Sequence, residues 1–242
     1  MILQPPGGKY CPLIGLCVRN GLTRARAYGI YGQDNENRTP VLMNMNDKQE
    51  FFDSLADDWD LDSTAEDLER LSHVIDKVNI APGLTVCDLG CGTGVLFDLL
   101  RRRVGENGYI VGVDFAPRLA HKARRNFPFH NIGVVEADAC CLPFRENTFD
   151  VIISYSAFPH FARQDETIHR ANHILKREGR LVILHLSGRD ELARIHHRAG
   201  GPVDYDQLPD RRALEDMFAR GHFVRWDVID DKNLYLAIGY KE

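Results

Sequence analysis

Val86-Cys87-Asp88-Leu89-Gly90-Cys91-Gly92-Thr93-Gly94-Val95-Leu96 decides how this chain is read. An apolar run with strand character enters a turn built on three glycines, and apolar residues at helical spacing follow. Glycines at 90, 92 and 94 permit tight backbone torsions and let a ligand lie against bare main chain. A dinucleotide fingerprint G-x-G-x-x-G would need glycine at position 95, which is Val95, and this speaks against a nicotinamide-dependent oxidoreductase. The chain also contains no G-x-x-x-x-G-K-[ST], which excludes a phosphate-binding P-loop.

The same alternation continues downstream. Strands are predicted at Thr85 to Asp88, Tyr109 to Phe115, Ile132 to Ala137, Val151 to Ser154 and Leu181 to Leu186. Helices are predicted near 94–103, 117–126 and 163–178, the last with Ile168, Ala171 and Leu175 on one face and Gly179 as its end. Continuous apolar strands separated by helices make a parallel sheet covered on both faces. Two more helices, at 189–198 and 210–220, precede strands at Phe223 to Ile229 and Leu234 to Tyr240. Their short Asp-Asp-Lys-Asn connection predicts a hairpin. The expected fold is therefore α/β: a doubly wound, mostly parallel seven-stranded sheet with an antiparallel C-terminal edge, without internal repeats.

Upstream, Ser63 to Glu66 has capping-box spacing before a helix carrying Leu68, Leu71, Val74, Ile75 and Val78. A further helix is expected from Asp47 to Trp59. Residues 1–45 carry Pro5-Pro6-Gly7-Gly8 and no sustained period, and they read as a poorly structured leader or the product of a start assigned too early. The domain proper is 46–242. Cys11 and Cys17 suggest metal ligands only if partners exist elsewhere.

Composition narrows the class. The chain has 242 residues, 44% hydrophobic and 27% charged, enough for one sizeable core. Thirty basic against 35 acidic residues give a net charge of -5, without the overall basic footprint of a nucleic-acid binder. No apolar run approaches the roughly 20 residues of a membrane helix. Six cysteines in unlike contexts make no disulfide framework, and a reducing cytoplasm is the expected location.

At the carboxyl ends of the next two strands stand Asp114 and then Glu136-Ala137-Asp138. A carboxylate at Asp114 can accept both ribose hydroxyls of an adenosine. Asp138 can accept from the adenine amino group, with Phe115 and Leu142 offering apolar faces to the ring.

These segments resemble the class I S-adenosylmethionine-dependent methyltransferases over residues 50–240. VCDLGCGTG is similar to the family's first motif, GVDFAP to its second, EADACCLPF to its third and FDVIISYSAFPHF to its fourth-strand motif. RANHILKREGRLVILHL is similar to the following helix and fifth strand. FFDSLADDWD resembles the helix closing over the cofactor in the small-molecule branch, which includes quinone-biosynthesis C-methyltransferases. The resemblance implies S-adenosylmethionine as cofactor, with Gly90, Gly92 and Gly94 at its methionine part, Asp114 at the ribose and Asp138 at the adenine. Asp88, Cys91, Phe115, Ala139 and Ser154 complete the candidate cofactor residues. It implies a small-molecule acceptor without choosing the atom methylated.

Two histidines reach the same rim: His160 after the fourth strand and His185 near the end of the fifth. Three uses remain open. His185 is a satisfied core residue while the helix histidines face solvent; or His160 and His185 orient or deprotonate the acceptor; or they form a metal site with His196 or His197. His169 and His173 are expected to face solvent. Cys140-Cys141 reads as packing. The loop Ser154-Tyr155-Ser156 lacks the cysteine that metalloid methyltransferases place there, and Phe158-Pro159-His160 is not the [DNS]-P-P-[YF] signature of nucleic-acid and protein N-methylating enzymes. A non-catalytic cofactor-binding subunit is the alternative from another class.

Overall fold

The computed structural model describes residues 45–59 and 64–242. The leader reading of residues 1–45, with Cys11 and Cys17, and the cap at Ser63 fall outside these residues, Met45 excepted. In chain order the elements are α1 (Met45–Ser54), α2 (Ala65–Lys77), β1 (Thr85–Leu89), α3 (Phe97–Val104), β2 (Tyr109–Asp114), α4 (Pro117–Asn126) and β3 (Ile132–Glu136). There follow β4 (Phe149–Tyr155), α5 (Gln164–Ile174), β5 (Leu175–His185), α6 (Arg189–Ala199), α7 (Arg211–Arg220), β6 (Arg225–Asp230) and β7 (Tyr235–Tyr240).

The strands form one seven-stranded sheet in the order β3-β2-β1-β4-β5-β7-β6. β3, β2, β1, β4 and β5 run parallel, and β7 lies antiparallel between β5 and β6. The C-terminal hairpin is thus present, with its second strand docked inward. Strand side chains alternate between two buried layers, as a period of two dictates. Cys87, Leu89, Ile152 and Ile183 pack beneath α5 and α7, while Val86, Ile153, Val182 and Leu184 pack beneath α2 and α3. Because both faces are covered, each parallel strand is apolar almost throughout.

Several boundaries differ from the sequence reading. The first helix ends at Ser54 rather than Trp59, which lies in the turn that follows. α5 ends at Ile174, and Leu175 turns extended (φ -69°, ψ 142°) to begin β5. Leu175 continues the helical spacing yet pairs with Phe149, before the register jumps to Val151 opposite Arg180. α3 begins at Phe97 rather than 94, since the glycine turn occupies the intervening residues. The capping box of α2 is Thr64 with Asp67, one residue beyond the predicted pair: the Asp67 N–H donates to Thr64 Oγ1 at 3.1 Å, and the Thr64 N–H to Asp67 Oδ2 at 3.4 Å.

Strand order reverses direction about β1 and β4, so their carboxyl ends open a crevice. Into it project the β1 turn, the ends of β2 and β3, and the 3₁₀ turn Phe158–His160 after β4. Helix α1 lies across this end of the sheet, contacting α4 and the turn Gly201–Val203.

Candidate active site

The glycine turn is held against the end of β2. Gly90 and Cys91 N–H both donate to the Val113 carbonyl, at 2.8 and 2.9 Å. Gly92 N–H donates to Asp114 Oδ2 at 2.8 Å, and Ala116 N–H to Oδ1 at 2.9 Å. Gly90 has φ +80°, and a Cβ there would stand 2.3 Å from the Ala157 Cβ, so the β4 loop closes directly onto bare backbone. At Gly92 (φ +53°) a Cβ would meet the Trp59 indole nitrogen at 3.0 Å.

Two carboxyl groups under this turn are poised by burial. Asp114 is pushed up to about 6 by burial, which outweighs the backbone N–H groups it accepts. Asp88 is pushed up to about 8 by burial, with the charge of Asp114 adding to it. Asp88 Oδ2 and the Ser154 hydroxyl are buried without a hydrogen-bond partner among the described residues. A carboxyl group with an orphaned oxygen just behind a cradle of bare backbone, able to ionise beside a cation, fits a ligand whose cationic amine reaches the turn, and S-adenosylmethionine carries one.

The crevice is one cleft in two adjoining parts that share Gly90, Asp114, Phe115, His160 and Phe161. The larger part, about 230 Å³, reaches Phe52, Trp59, Cys91, Gly92 and Tyr155. The smaller reaches Lys48, Asp138 and Ala139. Of the candidate cofactor residues, Gly90, Cys91, Gly92, Asp114, Phe115, Asp138 and Ala139 line the cleft. Asp88, Gly94 and Ser154 stand behind the lining.

At the smaller end Asp138 Oδ1 accepts from the Cys140 N–H at 3.1 Å and its thiol at 3.0 Å. Arg163 Nη2 lies 2.6 Å from Cys140 Sγ. Cys140 is half-buried and Cys141 exposed, so the pair is not core packing. Burial, and then Asp138, raise the Cys140 thiol far above its ordinary range. Among the described residues, Asp138, Cys140 and Cys141 are the metal-type donors that converge within 4.8 Å; the histidines do not.

Helix α1 forms the outer wall. Phe52 is buried and edge-on to Trp59, Phe115 and His160, with centroids 5.7, 5.8 and 5.0 Å away. Polar clamps hold the helix: Gln49 Nε2 donates to the Phe115 carbonyl at 2.8 Å, and Arg118 N–H to Asp53 Oδ1 at 2.8 Å.

His160 lies where the two parts meet. Its Nδ1 is 2.6 Å from Asp206 Oδ2, and Asp206 Oδ1 is 2.6 Å from the Lys48 ammonium, which also donates to the His160 carbonyl at 3.2 Å. His196 Nδ1 donates to the Asp206 backbone carbonyl at 2.6 Å. Burial lowers the His160 pKa, against the opposing pull of Asp206. His185 sits on the layer of Leu181 and Ile183, beside Tyr235, only 2% exposed and with both ring nitrogens unpartnered among the described residues. Burial holds it neutral, down to about 3. His169 and His173 are exposed on α5, as expected.

Asp206 and Lys48 were not found from the sequence. Asp206 lies in an irregular run without a motif, and Lys48 reads as one more polar residue on an amphipathic helix.

Comparison with known proteins identifies the family and the fold. The profile of a family described as "Methyltransferase domain" matches residues 80–216, more than half of the chain. The chain belongs to this methyltransferase family. Among curated relatives, the ubiquinone/menaquinone biosynthesis C-methyltransferase UbiE of Hahella chejuensis is 30% identical over 158 residues, covering 62% of this chain and 64% of that protein. The 2-phytyl-1,4-naphtoquinone methyltransferase of Nostoc is 35% identical over 107 residues, covering 43% and 47%. This methyltransferase thus spans about half to under two thirds of the curated relatives it matches.

Solved structures share its fold. A chain of the Haloferax volcanii complex between the Trm112 methyltransferase activator and a methyltransferase aligns with TM-score 0.66 and 19% identity, covering 78% of this chain and 96% of that one. A SAM-dependent methyltransferase of Aquifex aeolicus aligns with TM-score 0.61 and 18% identity, covering 80% and 98%. Among the described residues of the methyltransferase, no helix is long and apolar enough to cross a membrane.

Proposed function

We propose that this chain, in the cytoplasm, moves a methyl group from S-adenosylmethionine to a small acceptor with an apolar ring, with His160 as general base. The observation that carries the reading is the single cleft in which His160 faces the same space as the glycine turn, Asp114 and Asp138. Bound S-adenosylmethionine supplies a sulfonium methyl open to displacement by an acceptor electron pair. The turn at Gly90 to Gly94 with Asp88 takes its amino-acid end, Asp114 and Asp138 its ribose and adenine.

The chain's own residues then supply position and a proton sink. Phe52, Trp59, Phe115, Tyr155 and Phe161 wall the cleft and exclude water from the acceptor. An acceptor held in line needs little more than positioning. His160 takes the proton an O–H or acidic C–H acceptor gives up, and burial keeps the ring neutral for that purpose near pH 7. His185 is neutral and buried and does not line the cleft, so the base role is assigned to His160 alone. The quinone-methylating relatives favour a reduced quinone-type ring as acceptor.

The test is radiolabelled methyl transfer from S-adenosylmethionine to 1,4-naphthohydroquinone, beside a thermal-shift titration with S-adenosylhomocysteine. Stabilisation by the thioether, with label in the quinol and slow transfer in His160→Gln, supports the reading. Stabilisation without transfer to this or related ring acceptors favours a non-catalytic cofactor-binding subunit. The absence of any shift overturns the cofactor assignment.

A further inference from the structure

We propose that Asp206 is the positioning residue of His160, fixing its neutral ring as the Nδ1–H tautomer, with Lys48 anchoring the carboxylate from helix α1. The inference rests on the reading of His160 as base and adds how that base is set.

The geometry uses every acceptor Asp206 has. One carboxylate oxygen takes the His160 Nδ1 proton, the other takes the Lys48 ammonium, and the backbone carbonyl takes the His196 Nδ1 proton, each at 2.6 Å. An ionised carboxylate and a carbonyl accept only, so both imidazoles carry a proton on Nδ1. The lone pair of neutral His160 is thereby confined to Nε2, the nitrogen left for the cleft that the ring lines. Without a fixed partner, a neutral imidazole places its proton on either nitrogen, and the fraction with Nε2 protonated is useless as a base. A carboxylate behind a catalytic histidine does this work in unrelated hydrolases.

A neighbouring pair shows the contrast. His197 Nδ1 also lies 2.7 Å from a carboxylate, Asp204, but that imidazole is 82% exposed and the contact lies at the surface. The side chains of His160, Asp206 and Lys48 are 14, 9 and 11% exposed. Burying an ion pair costs desolvation that hydrophobic residues would avoid. The three groups also come from separate parts of the chain: α1, the turn after β4, and the loop after α6. Docking of α1 therefore completes the base as well as the wall.

The decisive measurement is a long-range proton–nitrogen correlation spectrum of protein labelled with nitrogen-15 histidine, with His160 assigned by its loss in His160→Gln. Expected are a protonated Nδ1 and a bare Nε2 in the unsubstituted protein. Asp206→Asn is expected to admit the Nε2–H form and to slow methyl transfer to 1,4-naphthohydroquinone by on the order of 10²-fold in kcat, with unchanged affinity for S-adenosylhomocysteine. A protonated Nε2 in the unsubstituted protein overturns the proposal, even if Asp206→Asn does not fold. So does Asp206→Asn with the original tautomer. A full rate in His160→Gln, with the tautomer as expected, removes the base itself and the positioning role with it.

Discussion

Lys48 and Asp206, 158 residues apart in sequence, meet ammonium to carboxylate at 2.6 Å, with side chains only 11 and 9% exposed. Removing one partner leaves the other buried and uncompensated. Asp206→Ala and Lys48→Met are each expected to cost about 3–5 kcal/mol in urea unfolding, whereas an apolar pair, Lys48→Met with Asp206→Leu, recovers much of the loss. Additive losses in the double variant would show that the two residues do not act as a pair.

Gly90 carries a second expectation. Its φ of +80° is costly for any residue with a Cβ, and the added carbon would lie 2.3 Å from the Ala157 Cβ. Gly90→Ala must move the β4 loop, which leads into His160. A loss of roughly 2–4 kcal/mol is expected from strain and overpacking, together with weaker S-adenosylhomocysteine binding by calorimetry. Full stability and affinity would contradict the closeness of these two backbones.

If the turn with Asp88 takes the amine of S-adenosylmethionine, as proposed, cofactor binding is expected to depend on pH. Its folded-state pKa of about 8 lies above the ordinary 3.8, so the folded protein keeps a proton that the unfolded chain gives up. This stabilisation is complete below about pH 4 and is lost as pH rises toward 8. A cationic amine beside the carboxylate reverses that preference, so S-adenosylmethionine should release a proton on binding at pH 7 and bind more tightly at pH 8 than at pH 6. Titration calorimetry in two buffers of different ionisation enthalpy reads the proton directly. Asp88→Asn should abolish the release and flatten the pH dependence of stability; proton release surviving in Asp88→Asn would assign it to another group, Asp114 first.

The sheet and the glycine turn that lines the cleft were legible because their information is local. Apolar runs such as Val86 to Leu89 state burial on both faces, and the glycines state where the backbone must turn against something. Asp114 and Asp138 follow from strand ends alone. The end of α5 was not legible, because Leu175 satisfies the helix period and the strand's inward position at once. The surroundings of His160 were hidden for a different reason: Lys48, His160 and Asp206 are adjacent only through tertiary packing, and none lies in a pattern that names its partner. Cys140-Cys141 was misread because adjacent cysteines look alike in sequence whether they face the core or, like Cys141, solvent.

Helix α1 and the turn after it separate packing from binding through two aromatic residues, Phe52 on the helix and Trp59 in the turn. Phe52 is 6% exposed and packs with Phe115 and His160, so Phe52→Ala should cost about 3–5 kcal/mol by leaving a cavity. Trp59 is partly exposed and stands over Gly92, in the wall of the larger part of the cleft. Trp59→Ala should therefore leave the ligand-free melting temperature nearly unchanged while weakening S-adenosylhomocysteine binding roughly tenfold, about 1.4 kcal/mol. Comparing the two variants by thermal shift with and without the thioether distinguishes a lid from a brace. If Trp59→Ala lowers the ligand-free melting temperature as much as Phe52→Ala and leaves affinity intact, α1 is only a brace.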